Sequence, residues 1–277
     1  MYLRPLRLTE ALAWLAEGQP AILAGGTDFY PARVGRPVTE DVLDITAVAE
    51  LKGIREETHR WRIGALVTWT GILQARLPRW FDCLKLVAQE VGGVQIQNAG
   101  TVAGNVCNAS PAADGVAALL ALDAEVELRS RAGTRVLALG DFLLGNRKTA
   151  RARDELVSAV IVPKRAEASR STFVKLGARK YLVISIAMAA IALDLAADGS
   201  ILGAAVAVGA CSPVARRLPD LERELVGRKP GPGIGESVAA RHLVPLAPIS
   251  DVRGTAEYRS DAVITLLRRA LGQLGHE

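Results

Sequence analysis

The chain has 277 residues, of which half are hydrophobic, 4% aromatic and 23% charged, so it can bury a large core in two or three units and is no disordered segment. Its formal net charge of +5 is spread among 29 acidic residues, and the stacking aromatics of a nucleic-acid-binding face are scarce. Three isolated cysteines, Cys83, Cys107 and Cys211, with no C-x-x-C pair, exclude an encoded zinc or iron–sulfur site and fit a reducing compartment.

The N-terminus MYLRPLRLTE lacks the apolar stretch of a signal peptide. The uncharged runs Tyr181–Leu193 and Gly199–Ala215 are respectively too short for a membrane span and broken by Gly, Ser and Pro. The expectation is a cytoplasmic protein with no membrane span and no nucleic-acid partner. Average hydropathy is nonetheless positive, which leaves two readings open: an Ala/Val/Leu-rich core, or surface covered by partner subunits. The one dense basic patch, Arg147–Arg153, reads as a solvated loop or a docking surface.

In chain order, Thr9 is positioned to cap a helix over Glu10–Glu17 that Gly18 ends. Ala21–Ala24 reads as a buried strand, closed by Gly25-Gly26-Thr27-Asp28 and followed by a predicted helix at Phe29–Val34. Asp41–Ile45 reads as the next strand of a small parallel unit. Trp61–Leu66 alternates as a strand does, Thr70–Arg76 and Phe81–Val91 read as helices, and Gly92–Asp114 reads as ordered loop because interior glycines disfavour a helix. A helix at Ala113–Leu122 precedes strands at Glu125–Arg129 and Arg135–Ala138, which flank the turn at Ala132-Gly133, and a further strand at Glu155–Val162. Beyond a polar linker, Lys164–Ser171, Phe173–Gly177 leads into a predicted hairpin. Its strands are Ile184–Leu195 and Ile201–Val208, joined at Ala197-Asp198-Gly199. Helices are expected at Pro219–Val226, Ile234–Val244 and Thr255–Leu274, the last amphipathic.

Hydrolytic chemistry finds little support. His59, His242 and His276 stand in no H-x-x-x-H setting, no G-x-S-x-G occurs, and Ser110 has no histidine near it in sequence. Nor is there a G-x-G-x-x-G or a P-loop motif. What remains is two glycine-rich stretches, LAGGTD at Leu23–Asp28 and GGVQIQNAGTVAGNVCNASPAAD at Gly92–Asp114. Uncovered glycine amides approach phosphates closely, so the pair points to a large phosphate-bearing ligand such as a dinucleotide. Thr27, Thr101 and Asn105 could add donors, Asp114 could accept from a ribose or adenine, and Lys175 could stabilise charge on a reduced ring. Equally, the LAGGTD turn could be an ordinary tight turn, Asn105 and Asn108 could close turns, and Asp114 could cap the helix after it.

Residues 92–126 closely resemble the flavin-binding medium subunit of the molybdenum hydroxylases, the xanthine dehydrogenase and aerobic carbon monoxide dehydrogenase type. The resemblance extends to LAGGTDF at Leu23–Phe29, IGALVTW at Ile63–Trp69, QIQNAGTVAGNVCNASPAAD at Gln95–Asp114, ALLALDAEVEL at Ala118–Leu128, VKLGARKYLVISIAMAAIAL at Val174–Leu193 and DVRGTAEYRSDAVITLLRRAL at Asp251–Leu271, nearly the whole chain. It implies an α+β architecture. A two-subdomain FAD-binding domain of the vanillyl-alcohol-oxidase (PCMH) type would span residues 1–165, divided near residue 55, and a C-terminal antiparallel sheet with helices would span residues 170–277. It implies non-covalent FAD held by Ile22, Leu23, Ala24, Gly25, Gly26, Thr27 and Asp28 and by Thr101, Ala103, Gly104 and Asn105. Ile96 and Val157 would lie by the isoalloxazine ring, Lys175 near it, and Asp114 by the adenosine. No residue of this chain would act as catalytic acid or base.

The resemblance further implies partners: a large molybdopterin-binding subunit and a small [2Fe-2S] subunit, in a dimer of heterotrimers. Electrons would pass from the partner's clusters to NAD, oxygen, a quinone or a carrier protein. Three positions depart from the family pattern. Ala103 replaces the first glycine of T-[IV]-G-G-N, Gln97 stands where arginine is frequent, and Val183 stands where an aspartate is frequent. No cysteine-rich insert is present. Two other readings stay open: a self-contained flavin oxidase on the same fold, with Cys107 as a conceivable covalent anchor, and a scaffold subunit that has lost FAD.

Overall fold

The structure, a computed structural model, describes residues 1–276. The chain begins with β1 (Tyr2–Leu3), α1 (Leu8–Gly18), β2 (Ala21–Leu23) and β3 (Val42–Asp44), and the strands form a parallel sheet in the order β1-β3-β2. Leu8, Ala11, Leu12 and Leu15 give α1 one buried face. Thr9 does not cap it. The helix starts two residues earlier, after Arg7, and Glu50 accepts the Leu8 amide at 3.1 Å in place of a local cap. The expected helix at Phe29–Val34 is only a 3-10 turn, Pro31–Arg33. Gly35 at φ +75° turns the chain away directly after it.

The second region carries β4 (Ile54–Glu56), β5 (Arg60–Gly64), α2 (Trp69–Gln74), α3 (Asp82–Glu90), α4 (Val94–Ala99), α5 (Val102–Asn108) and α6 (Asp114–Ala121). It continues with β6 (Glu125–Ser130), β7 (Gly133–Ala138), α7 (Leu139–Phe142), the small hairpin β8 (Leu143–Gly145) and β9 (Lys148–Thr149), and β10 (Leu156–Pro163). Five strands form an antiparallel sheet, order β4-β5-β10-β6-β7. Trp69, Trp80, Phe81 and Phe142 are fully buried in its core. The stretch expected to be loop, Gly92–Asp114, contains α4 and α5. Its glycines sit mostly at helix ends, with Gly93 and Gly100 flanking α4, and burial of Val102, Ala103 and Val106 outweighs the propensity cost of Gly104.

The third region contains β11 (Arg170–Leu176), β12 (Ala187–Leu195), β13 (Ile201–Gly209), β14 (Arg216–Arg217), α8 (Pro219–Leu225) and α9 (Ala256–His276), with sheet order β11-β12-β13-β14. The hairpin turn is where the sequence put it, with Gly199 at φ +80° and Asp198 accepting from Ser200. The expected helix at Ile234–Val244 is two 3-10 turns, Ile234–Ser237 and Ala240–Leu243. Gly235 passes so close to the backbone of Arg268 on α9 that a Cβ there would meet its carbonyl at 2.7 Å. The expected linker Lys164–Ser171 is ordered. Its Arg165 is 7% exposed at the side chain and binds Asp123, Asp194 and the Ala121 carbonyl.

All eight residues of α6 are buried. The helix lies between α3 and α5 on one side and β12 and β13 on the other. The facing side of that sheet carries Met188, Ala190, Ala192, Ala205 and Ala207, which join the core of the second region. The opposite side, with Ala189, Ile191, Val206 and Val208, packs on α8 and α9.

One acid-sensitive element follows. The guanidinium of Arg135, and then the Ala152 amide, hold the Glu155 carboxyl below the ordinary glutamate value of 4.5 against the opposing effect of burial. A carboxylate with a lowered folded-state pKa contributes stability that is complete above its ordinary value and is lost as pH falls through the lowered one. Glu155→Gln is therefore expected to lower Tm at neutral pH and to flatten the fall in Tm between about pH 5 and pH 3, measured by calorimetry across that range.

Candidate functional site

β2, an edge strand of the parallel sheet, delivers Ala24-Gly25-Gly26-Thr27-Asp28 to the C-terminal end of α4. Gly26 has φ +73°, a conformation open to glycine. Gly25 packs so tightly that a Cβ on it would lie 1.8 Å from the Ala99 carbonyl oxygen and 3.1 Å from the Gly100 Cα. A Cβ on Gly100 would in turn lie 3.3 Å from the Thr27 hydroxyl. The two glycine stretches therefore touch, although most of the first hundred residues separates them. Among the described residues, the amides of Gly25, Gly26, Thr27, Asp28 and Phe29 donate no hydrogen bond to the chain, whereas the Tyr30 and Ala32 amides close back on Gly26 and Asp28. A run of undonated amides in an ordered turn is the donor set an oligophosphate needs.

The second stretch is fixed from below. Trp69 donates its amide to the Gly100 carbonyl (3.2 Å) and Val102 donates to Val67 (2.9 Å), so the corner between α4 and α5 is bridged to the segment that leaves β5. Thr101 caps α5: its hydroxyl oxygen accepts the Gly104 amide at 2.9 Å. Its hydroxyl proton is given to no described residue. Ala103 lies in the first turn of α5, 3% exposed, and is absent from the residues with positive φ. Its methyl therefore costs no backbone strain at the position where glycine is the usual residue, and its amide donates no hydrogen bond within the described chain. Gly104 is exposed beside it. The Asn105 carbonyl oxygen is buried without a hydrogen-bond partner and lies 2.7 Å from where a Cβ on Gly115 would stand. An orphaned buried acceptor of this kind costs about 1–3 kcal/mol.

Asp114 is the first residue of α6, and its side chain does not cap the helix. One carboxylate oxygen takes the Lys175 ammonium at 2.8 Å and the other takes the Ser185 hydroxyl at 2.6 Å. The two charged side chains are 9% and 8% exposed. Lys175 also reaches the Val183 carbonyl at 3.4 Å. Asp114 and Lys175, assigned by resemblance to opposite ends of a cofactor, here form one buried ion pair.

The remaining sequence candidates are spread around this centre. Ile22, Leu23 and Ala24 are strand and strand-end residues, Leu23 buried and the other two half-buried. Ile96 is exposed on α4, next to exposed Val94 and close to exposed Leu182, which approaches Gly93. Val157 is buried on β10 beside a bulge, in the same core as Val102, Ala103 and Val106. Its neighbour Ser158 donates to the Glu127 carbonyl at 3.2 Å. Gln97 donates to the Gln89 carbonyl at 3.2 Å, and Cys107 is exposed on α5. Among the described residues no cluster of His, Cys, Asp and Glu is composed to hold a metal ion.

Residues that the sequence reading did not assign to the site also build it. Arg147 grips Asp28 with two hydrogen bonds of 3.1 Å, which raises the guanidinium pKa, and its own amide donates to Ala109. The basic patch Arg147–Arg153 is thus only partly solvated: Arg151 binds the Glu155 carbonyl and Arg153 binds Gln19. Trp69, beneath Gly100 and Gly115, and Ser185 were carried silently inside the quoted motifs. Nothing local in the sequence marks Arg147 as the partner of Asp28.

Comparison with known proteins bears on this arrangement. The family described as FAD binding domain in molybdopterin dehydrogenase matches residues 1–165, and that described as CO dehydrogenase flavoprotein C-terminal domain matches residues 172–274. The chain is similar to the nicotinate dehydrogenase FAD-subunit of Eubacterium barkeri, 36% identical over 82% of this chain and 79% of that protein. It is similar to the carbon monoxide dehydrogenase medium chain of Afipia carboxidovorans, 32% identical over 98% of this chain and 94% of that one. The fold matches a solved structure of reconstituted CO dehydrogenase from Oligotropha carboxidovorans with a TM-score of 0.88 at 29% identity, covering 99% of this chain and 97% of that one.

Removing one partner from a buried ion pair leaves the other charge uncompensated. Lys175→Met is expected to lower unfolding free energy by about 3–5 kcal/mol, read from the denaturant midpoint. Combining it with Asp114→Leu is expected to restore part of that loss.

Proposed function

The chain belongs to the family of FAD-binding domains of molybdopterin dehydrogenases, and we propose that it is the electron-transfer subunit of a molybdenum hydroxylase, passing electrons from the [2Fe-2S] clusters of a small partner subunit to an external acceptor. Substrate oxidation would belong to a large molybdopterin-binding subunit, in a cytoplasmic complex assembled as a dimer of heterotrimers. Among the described residues no helix is long and apolar enough to cross a membrane.

The observation that carries the reading is the contact of the two glycine stretches, with the undonated amides of Gly25 to Phe29 along one of them. Those amides, with the Ala103 amide and the Thr101 hydroxyl proton, would hold the diphosphate of FAD. The orphaned Asn105 oxygen is an acceptor available to a donor on the same ligand. Arg147 would act through Asp28, fixing the far side of the turn whose amides donate to nothing else in the described chain. Ile96 and Val94 offer an exposed apolar ledge against which a flat ring can exclude water. The buried Asp114–Lys175 pair holds the start of α6 to β11 and so keeps the α5–α6 corner in place. Bound FAD supplies reversible one- and two-electron transfer, chemistry that belongs to the cofactor and is tuned by its protein surroundings. Because Ala103 is helical and unstrained, the departure at that position supports no loss of FAD. No observation favours the self-contained oxidase.

The test is direct. Purified chain reconstituted with FAD is expected to be yellow, and denaturation is expected to release the flavin as non-covalent FAD. Gly26→Val, which forces a β-branched residue into the left-handed region, is expected to weaken FAD binding at least about tenfold, or ~1.4 kcal/mol, in a fluorescence titration. A folded wild-type chain that does not bind FAD overturns the reading. Co-purification with a molybdopterin-containing chain and an iron–sulfur chain tests the partners.

A further inference from the structure

The C-terminal sheet ends at β11, whose outer side has no neighbouring strand. An edge strand turns alternate N–H and C=O groups outward, and proteins usually blunt it with a bulge, a proline or a covering element. β11 has neither a bulge nor a proline along its length. Its register with β12 runs unbroken from Arg170–Leu193 to Leu176–Ala187. Helices cover its two faces; Ser171, Thr172 and Phe173 are buried, and the strand opens to solvent at Val174–Leu176. On one face Ser171 accepts the Cys83 amide of α3 at 2.9 Å and donates to the Trp80 carbonyl at 2.8 Å. On the other, Thr172 donates to Gln273 of α9 at 3.0 Å. Between α3 and α9 lies a cleft of about 420 Å³ that runs along the edge. Among the described residues, no hydrogen bond outside the β12 ladder reaches the main chain of Phe173, Val174 or Lys175.

The walls of the cleft have a definite chemistry. Leu86, Val174 and Leu176 are half-buried apolar residues that could take alternate side chains of an added strand. Arg269 and Lys180 are exposed at its rim. Arg269 has no ion-pair partner among the described residues, and Lys180 has only the Tyr181 ring at 5.1 Å. Glu90 is the only carboxylate in the lining, while Lys175 is already neutralised by Asp114. The field at the rim is therefore positive.

We propose that this cleft receives an extended acidic segment of a partner polypeptide, added antiparallel or parallel to β11 as a further strand of the C-terminal sheet. Main-chain bonds to the edge supply the attachment, and Arg269 and Lys180 select for Glu or Asp at the rim. None of the residues it uses belongs to the glycine stretches, although the cleft is also lined by Lys175, which the resemblance puts near the flavin ring.

The probe is a labelled heptapeptide of alternating Glu and Val, added to the full FAD-loaded chain and followed by anisotropy and by amide hydrogen exchange. Binding is expected, with protection of amides in β11. It should weaken at least about tenfold when alternate peptide amides are N-methylated, since that removes the edge bonds while keeping charge and shape. A Lys-for-Glu peptide and the exposed-residue variant Arg269→Glu/Lys180→Glu should each weaken binding of the heptapeptide site to a similar degree, and added salt should do the same. The proposal is overturned by absence of binding up to about 1 mM (a ceiling of −4.1 kcal/mol), by equal binding of the N-methylated peptide, or by protection elsewhere. A chain that is dimeric in sedimentation, with the dimer dispersed by the peptide, would give the cleft to a second copy and overturn it as well.

Discussion

The structure depends on a helix that has no outside. A helix apolar all round is stable only when every face is covered, and α6 is covered by α3 and α5 from one region and by β12 and β13 from another. Its single charged side chain, Asp114, sits at the entrance and is neutralised on arrival by Lys175 and Ser185. Small residues make the arrangement possible. Alanines on α6 face alanines on β12 and β13, so helix and sheet approach closely without large side chains between them. The segment that carries the glycine-rich corner and the C-terminal sheet therefore share one core, with no gap at the boundary between the two matched families.

The same demand for close approach recurs at the candidate site. Gly25 lies against the Ala99 carbonyl and Gly115 against the Trp69 ring, contacts that leave no room for a Cβ. Glycine here does two separate jobs. At Gly26 it supplies a backbone conformation, and at Gly25 and Gly115 it supplies absence of volume. Arg147 and Trp69 then act as braces from opposite sides, one through Asp28 and the other through Gly100. Rigid braces behind a loop lower the ordering cost that a ligand would otherwise meet on binding.

Much of this was legible in the residues. The two glycine stretches, the hairpin at Asp198-Gly199, the amphipathic α9 and the all-apolar run that became α6 are local signals, and local signals survive in sequence. What was hidden is what tertiary contact decides. α4 and α5 are too short to read by periodicity: α5 is held by its Thr101 cap and by burial of Val102, Ala103 and Val106, whereas α4 has no side-chain cap and buries none of its residues. Glu50, 42 positions beyond Leu8, takes the amide that a local cap would hold, and the expected helices at Phe29–Val34 and Ile234–Val244 are cut short by glycines whose role depends on φ or on a passing backbone. From sequence, Asp114 stands as an acceptor for a ribose or adenine and Lys175 as a stabiliser of charge on a reduced ring, each taken singly. That they meet each other at 2.8 Å, 61 positions apart, is a fact that no window of residues contains.

The sharing of α6 has a consequence for how the chain comes into being. Translation delivers α6 long before β12 and β13, so an apolar helix face waits uncovered while the remaining strands are synthesised. The N-terminal region is in that sense an unfinished object even when all its own residues are present. Its cover is supplied later by the same polypeptide, acting as an intramolecular chaperone for the loops that α6 supports.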